Sequence, residues 1–112
     1  MTATAKPVFL DFHPTEVLSE GVVLDEVDFD LNGERKSGFH MATFDIAPGV
    51  TSDVDIHNVR ETWYVLDGQA TLRSGDDQTT VRKGNVVYLE SRVPHQLQNE
   101  GDTPLKVLAL WW

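Results

Sequence analysis

Turn residues recur along this chain at intervals too short for ordinary helices, and that spacing limits its fold more than any other feature. Asn32-Gly33, Pro48-Gly49, Asp67-Gly68, Ser74-Gly75-Asp76-Asp77 and Lys83-Gly84-Asn85 each break a run rich in β-branched, aromatic or aliphatic residues. Glycine supplies the positive φ of a tight turn and Asn or Asp tolerates it, whereas all three weaken a helix interior. Residues 22–31 end in alternation and meet Asn32-Gly33, so Gly38–Ile46 reads as the returning strand of a hairpin. Trp63–Leu66, Ala70–Arg73, Gln78–Arg82 and Val86–Leu89 read as further strands. The run Leu105–Trp112, apolar but for Lys106, reads as a strand buried on both faces. No segment carries helical periodicity, and the pattern predicts an all-β sandwich or closed barrel. Residues 1–20 predict an N-terminal edge segment, with a strand around Val8–Phe12 and a turn near Pro14–Leu18.

At 112 residues the chain is expected to form one domain, 1–112, with one core and therefore one principal site. It carries 18 acidic against 9 basic residues, a formal charge of −9. Nucleic-acid binding needs a basic face that releases counterions from phosphate, and anionic lipid needs the same sign, so both partners are disfavoured. The absence of cysteine removes disulfides, thiolate ligands and thiol nucleophiles, leaving nitrogen and oxygen donors for any metal. No stretch matches a signal peptide or a membrane span, and the expectation is a cytoplasmic protein.

Within this β pattern, residues 49–61 and the later Pro94-His95 gather two imidazoles, His57 and His95, and two carboxylates at suitable spacing, Asp55 and Glu61. Alternate side chains of a strand share a face, so Asp55 and His57 are expected to point the same way. The Asn58-Val59-Arg60 loop then reverses the chain, and Glu61 opens the next strand facing the same interior. His95 adds a donor from another part of the sheet. Asp55, His57, Glu61 and His95 together form a mostly hard N/O set suited to a divalent Mn, Fe, Co, Ni or Zn ion. Trp63 shares the parity of Glu61 and is a candidate pocket wall; His40, if its strand turns it inward, is another. The competing reading is a polar core network without metal, in which His95 hydrogen-bonds Glu61. In that reading His40 is structural, and Trp63, Tyr88, Trp111 and Trp112 serve core or interface.

The same residues resemble the two motifs of the cupin superfamily of small β-barrels. Gly49, His57, Glu61 and Gly68 fall in register with the first motif, and Gly84, Pro94-His95 and Asn99 with the second, over roughly residues 38–112. The resemblance implies a single-domain cupin barrel, a double-stranded β-helix or jelly roll, in which His57, Glu61 and His95 are metal ligands. Two departures stand out. Asp55 occupies the place of the first motif's leading histidine and has two readings. It is either a substituted fourth ligand or a group behind the ligands that orients a water or His57, with an acid/base role open to it and to Glu61. Glu90 and Arg92 replace a proline and a glycine of the second motif, which alters a loop rather than a ligand.

The resemblance implies a small metal-dependent enzyme acting on a compact oxygenated substrate, of carbonyl, hydroxy-acid or enediol type. Lyase, isomerase, cyclase and dioxygenase chemistry all fit such a fold, which by itself does not choose among them. The alternative is a metal-free cupin that binds a sugar or metabolite without catalysis. Two-fold pairing is common among single-domain cupins, and with Trp111-Trp112 at the terminus a homodimer is expected.

Overall fold

Alternation of apolar and polar residues builds two sheets that face each other across the core. The computed structural model describes residues 6–112. Its strands are β1 (Glu16–Ser19), β2 (Val22–Glu26), β3 (Asp30–Leu31), β4 (Glu34–Arg35), β5 (His40–Ile46) and β6 (Glu61–Asp67). They continue with β7 (Gln69–Ser74), β8 (Asp77–Arg82), β9 (Val86–Leu89), β10 (Gln96–Gln98) and β11 (Leu105–Trp111). No helix occurs among the described residues, so none is long and apolar enough to cross a membrane. The larger sheet runs β1-β2-β5-β11-β6-β9, the smaller β10-β7-β8, and β3-β4 forms a separate ribbon.

The core lies between the sheets. Val107 pairs with Phe44 on one side and Val65 on the other, and Ala109 with Ala42 and Trp63, so one face of β5, β11 and β6 forms a continuous apolar floor. Ala70, Leu72, Val81 and Leu97 of the smaller sheet close over it, all buried. Each of the larger side chains contributes about 2 kcal/mol through removal from water. The chain passes between sheets at Asp67-Gly68. Gly68 sits at φ 80°, and a Cβ there would stand 2.6 Å from the Pro104 carbonyl oxygen, so only glycine fits this corner.

Several expectations are corrected. Residues 22–31 do not form one strand: β2 pairs with β5 from Val22↔Ile46 to Glu26↔Ala42, and the chain then leaves the sheet. The Asp28 carboxylate accepts the Asp30 N–H at 2.9 Å, a local turn that competes with pairing. Asn32-Gly33 does turn a hairpin, with φ of 52° and 80°, but it is the small β3-β4 ribbon. Val8–Phe12 is not a strand; Phe12 makes an isolated bridge to Val27. The turn placed at Pro14–Leu18 is instead β1, paired antiparallel with β2 at the sheet edge, and the reversal falls at Glu20-Gly21, where Gly21 supplies φ 77°. Finally, β11 is buried on one face only: Leu105, Val107 and Ala109 face the core while Leu108 and Leu110 lie half-buried on the outer face.

Candidate metal centre

After Pro48-Gly49 the chain runs alongside β10 instead of forming a regular strand. Thr51 bridges Gln98 and Asp55 bridges His95, with Asp55 N–H donating to the His95 carbonyl at 2.9 Å and His95 N–H to the Asp55 carbonyl at 3.0 Å. Backbone pairing therefore sets Asp55 beside His95 across forty residues of sequence. The donor atoms of Asp55, His57 and His95 all lie within 4.8 Å of one another. The two imidazole rings are 5.2 Å apart, His95 buried and His57 exposed.

The orientation of His95 is fixed from behind. Its Nδ1 is 3.0 Å from the Val93 carbonyl oxygen, which can only accept, so Nδ1 is the donor there and Nε2 is left facing the site. That nitrogen lies 3.8 Å from Glu61 Oε1. Glu61 stands beside the three-residue cluster rather than within it. Its other oxygen accepts a 2.6 Å hydrogen bond from the Trp63 indole N–H, and Trp63 packs edge-on to His95 at 5.4 Å. Trp63 thus walls the site and also holds the carboxylate.

A cavity of about 310 Å³ opens from this cluster, lined among others by Ser52, Asp55, His57, Glu61 and His95. His40 does not line it. Its ring stacks on Trp111, 5.3 Å away with planes 7° apart, and its Nδ1 faces Arg35 at 3.2 Å. The inward parity expected for His40 holds, but Trp111 occupies the place at the cavity wall. Trp111 and Leu18 were not foreseen as lining residues. For Trp111 the signal was present, since it shares the odd parity of Leu105, Val107 and Ala109 in β11.

The two departures in the second motif make contacts of their own. Glu90 accepts from Arg60 at 3.2 Å and from the Tyr88 hydroxyl at 3.0 Å, and the Tyr88 bond holds its carboxyl below the usual range. Arg92 donates its backbone N–H to the His57 carbonyl at 2.7 Å and its guanidinium to Asn58 at 3.0 Å. The β9-β10 loop is thereby clipped to the loop that carries His57. Arg92 does this at φ 67°, the left-handed region that a side chain enters at a cost of about 1 kcal/mol. Arg92→Gly is therefore expected to leave the urea midpoint at or slightly above that of the parent, and Arg92→Val to lower it by the equivalent of about 1–2 kcal/mol.

The family model for the cupin domain matches residues 42–111. The chain belongs to the cupin family. Among solved structures, a Cupin 2 conserved barrel domain protein of Salinispora arenicola superposes with a TM-score of 0.75 at 24% identity, covering 100% of this chain and 90% of that one. A protein of Thermotoga maritima described as a predicted oxalate decarboxylase gives 0.69 at 18% identity, covering 91% of each chain. The xanthan biosynthesis protein XanB of Xanthomonas campestris pv. campestris is 30% identical over 87 residues, which are 77% of this chain and 17% of that protein. This cupin spans well under half the length of the curated relatives it matches first. The matched region runs from within β5 to the end of β11 and so includes every polar residue of the cluster.

Proposed function

We propose that this cupin is a small cytoplasmic metal-dependent enzyme whose divalent ion is held by His57, His95 and Asp55, with Glu61 as the adjoining acid/base. The observation that carries this reading is the convergence of the three donors within 4.8 Å, with the His95 ring held through Nδ1 so that Nε2 faces the site. Bonds from a divalent metal to nitrogen or oxygen are about 2.1 Å, so neighbouring donors on one ion lie about 3.0–3.4 Å apart and only an opposed pair reaches about 4.2 Å. The donors within 4.8 Å must therefore close by up to about 1–2 Å, which rotation of the exposed His57 and Asp55 side chains supplies. The donor set of two neutral imidazoles and a carboxylate suits Mn, Fe, Co, Ni or Zn.

When bound, such an ion would polarise a carbonyl, hydroxy-acid or enediol oxygen. The chain's own residues do the rest. Trp63 holds one Glu61 oxygen and leaves the other free, beside His95, to take or return a proton at the substrate. The apolar walls keep water from that exchange. Lyase, isomerase, cyclase and dioxygenase reactions are each compatible with this arrangement. A metal-free binding module is the second reading, favoured by the well-formed cavity, and ligand binding that survives chelation would select it. Self-association belongs to the same proposal: Tyr64, Val86 and Tyr88 leave exposed apolar surface on the outer sheet face, which a second copy would cover.

Elemental analysis of protein purified without added metal tests the central claim. The expected result is near-stoichiometric divalent metal in the parent and at least about tenfold weaker retention in Asp55→Ala. A parent free of metal that also fails to bind added Mn, Fe, Co, Ni or Zn overturns the reading. If Asp55→Ala alone keeps its metal, Asp55 acts on the substrate rather than on the ion.

A further inference from the structure

The cavity is divided into two chemically distinct parts. Leu18 of β1, Val22 and Leu24 of β2, and Phe44 and Ile46 of β5 line one side. These strands are hydrogen-bonded neighbours, with Leu24 opposite Phe44 and Val22 opposite Ile46, so the side is a continuous apolar sheet surface. Leu97, Val59, Trp63 and Trp111 extend it. Of the polar lining residues, Asp55, His57, His95 and Glu61 are gathered at the candidate metal cluster, and Ser52 is the one other.

Part of the polar capacity of the lining is already engaged. Ser52 Oγ donates to the Asp53 carbonyl and accepts the Leu97 N–H, and one Glu61 oxygen is held by Trp63. No lysine or arginine lines the cavity among the described residues. The nearby guanidiniums of Arg60 and Arg92 are directed instead to Glu90 and Asn58.

We infer that the site selects a largely apolar molecule carrying a single oxygen-bearing head group, and rejects sugars, sugar phosphates and polycarboxylates. The head group meets the polar cluster, and this part of the inference rests on the metal-bearing reading. The apolar body lies on the β1-β2-β5 surface and does not depend on that reading. A polyol would place hydroxyls against Leu24, Phe44 and Ile46 with no partner for them. A polyanion would find two carboxylates and no fixed cation to neutralise its second charge. A cavity of about 310 Å³ is roughly twice the volume, about 150 Å³, that holds benzene in an apolar protein interior, so it accommodates a body of about two fused rings.

Isothermal titration of the full chain with 2-naphthol, D-mannose and citrate tests this, once with excess Mn²⁺ and once after chelation. Expected is a Kd for 2-naphthol at least about tenfold below those of D-mannose and citrate under both conditions, since one unpaired buried hydroxyl alone costs about that factor. Leu18→Arg puts a cation at the half-exposed rim and is expected to weaken 2-naphthol binding at least about fivefold, whereas Thr79→Arg, on the exposed part of β8, leaves it unchanged. Comparable or tighter binding of mannose or citrate, naphthol binding indifferent to Leu18→Arg, or no measurable naphthol binding each overturns the inference. Metal content measured on the same samples separates the two claims. Naphthol selectivity in protein that binds no metal sinks only the enzyme reading, and metal binding with a preference for mannose sinks only this one.

Discussion

His95→Ala is expected to weaken divalent-metal binding by more than about a hundredfold, because altering even a group behind a ligand costs ten- to a hundredfold. His95 is the buried member of the cluster, and its ring is held by the Val93 carbonyl, the edge of Trp63 and the backbone pair with Asp55. Exposed His57 and Asp55 must give up side-chain freedom to reach an ion, whereas His95 is already in place. Its removal therefore takes away the one ligand whose ordering cost is met by the fold. Competition against a chromophoric chelator measures the loss. His40→Ala provides the contrast: His40 stacks on Trp111 outside the cavity, and its replacement is expected to leave metal affinity unchanged. If His95→Ala binds metal as the parent does, the ion is held elsewhere or not at all.

The sequence carried the strands of this cupin where turn chemistry is local and strong. Asp67-Gly68, Gly75 and Gly84 each take positive φ at a reversal between the strands that the pattern predicts. It was less informative where pairing is non-local. Glu16–Ser19 has no burial alternation of its own and becomes β1 only because β2 presents a free edge to it, so Pro14 misled as a turn signal. The apolar cavity wall was invisible for the same reason, since Leu18, Leu24 and Phe44 meet only once β1, β2 and β5 have paired.

At the site, spacing pointed to Asp55, His57 and His95, which the structure brings together, and to Glu61, which it places alongside. Strand parity was the wrong reason for Asp55. Residues 56–57 are not in a strand, and what places Asp55 is its backbone pairing with His95. For His40 parity predicted the face but left its role open, because a period of two says nothing about which neighbour, here Trp111, fills the space in front.

Asn99→Leu is expected to destabilise the fold by about 4 kcal/mol, a large share of the roughly 5–15 kcal/mol available to a domain. Asn99 is 1% exposed and does not itself line the cavity. Its amide donates to the Ile46 carbonyl at 3.0 Å and the Thr103 carbonyl at 2.9 Å, and its oxygen accepts the Gly101 N–H at 3.0 Å. Three segments meet on this one side chain: the end of β5, the loop that precedes β11, and β10's exit. Leucine matches the volume but leaves the buried Ile46 carbonyl without this partner, at about 1–3 kcal/mol, and removes two part-buried bonds, to Thr103 and Gly101, at about 1 kcal/mol each. Asn99→Asp keeps the acceptor yet turns a carboxylate toward two carbonyl oxygens, so it is expected to be at least as damaging at neutral pH. Urea unfolding of both variants measures the cost, and a midpoint within error of the parent would show that the three bonds contribute nothing net. Because Asn99 acts on the scaffold and His95 on the ion, folded Asn99→Leu protein is expected to bind metal with nearly parental affinity in the cold. His95→Ala should show the reverse pattern, near-parental unfolding in chelator and no metal.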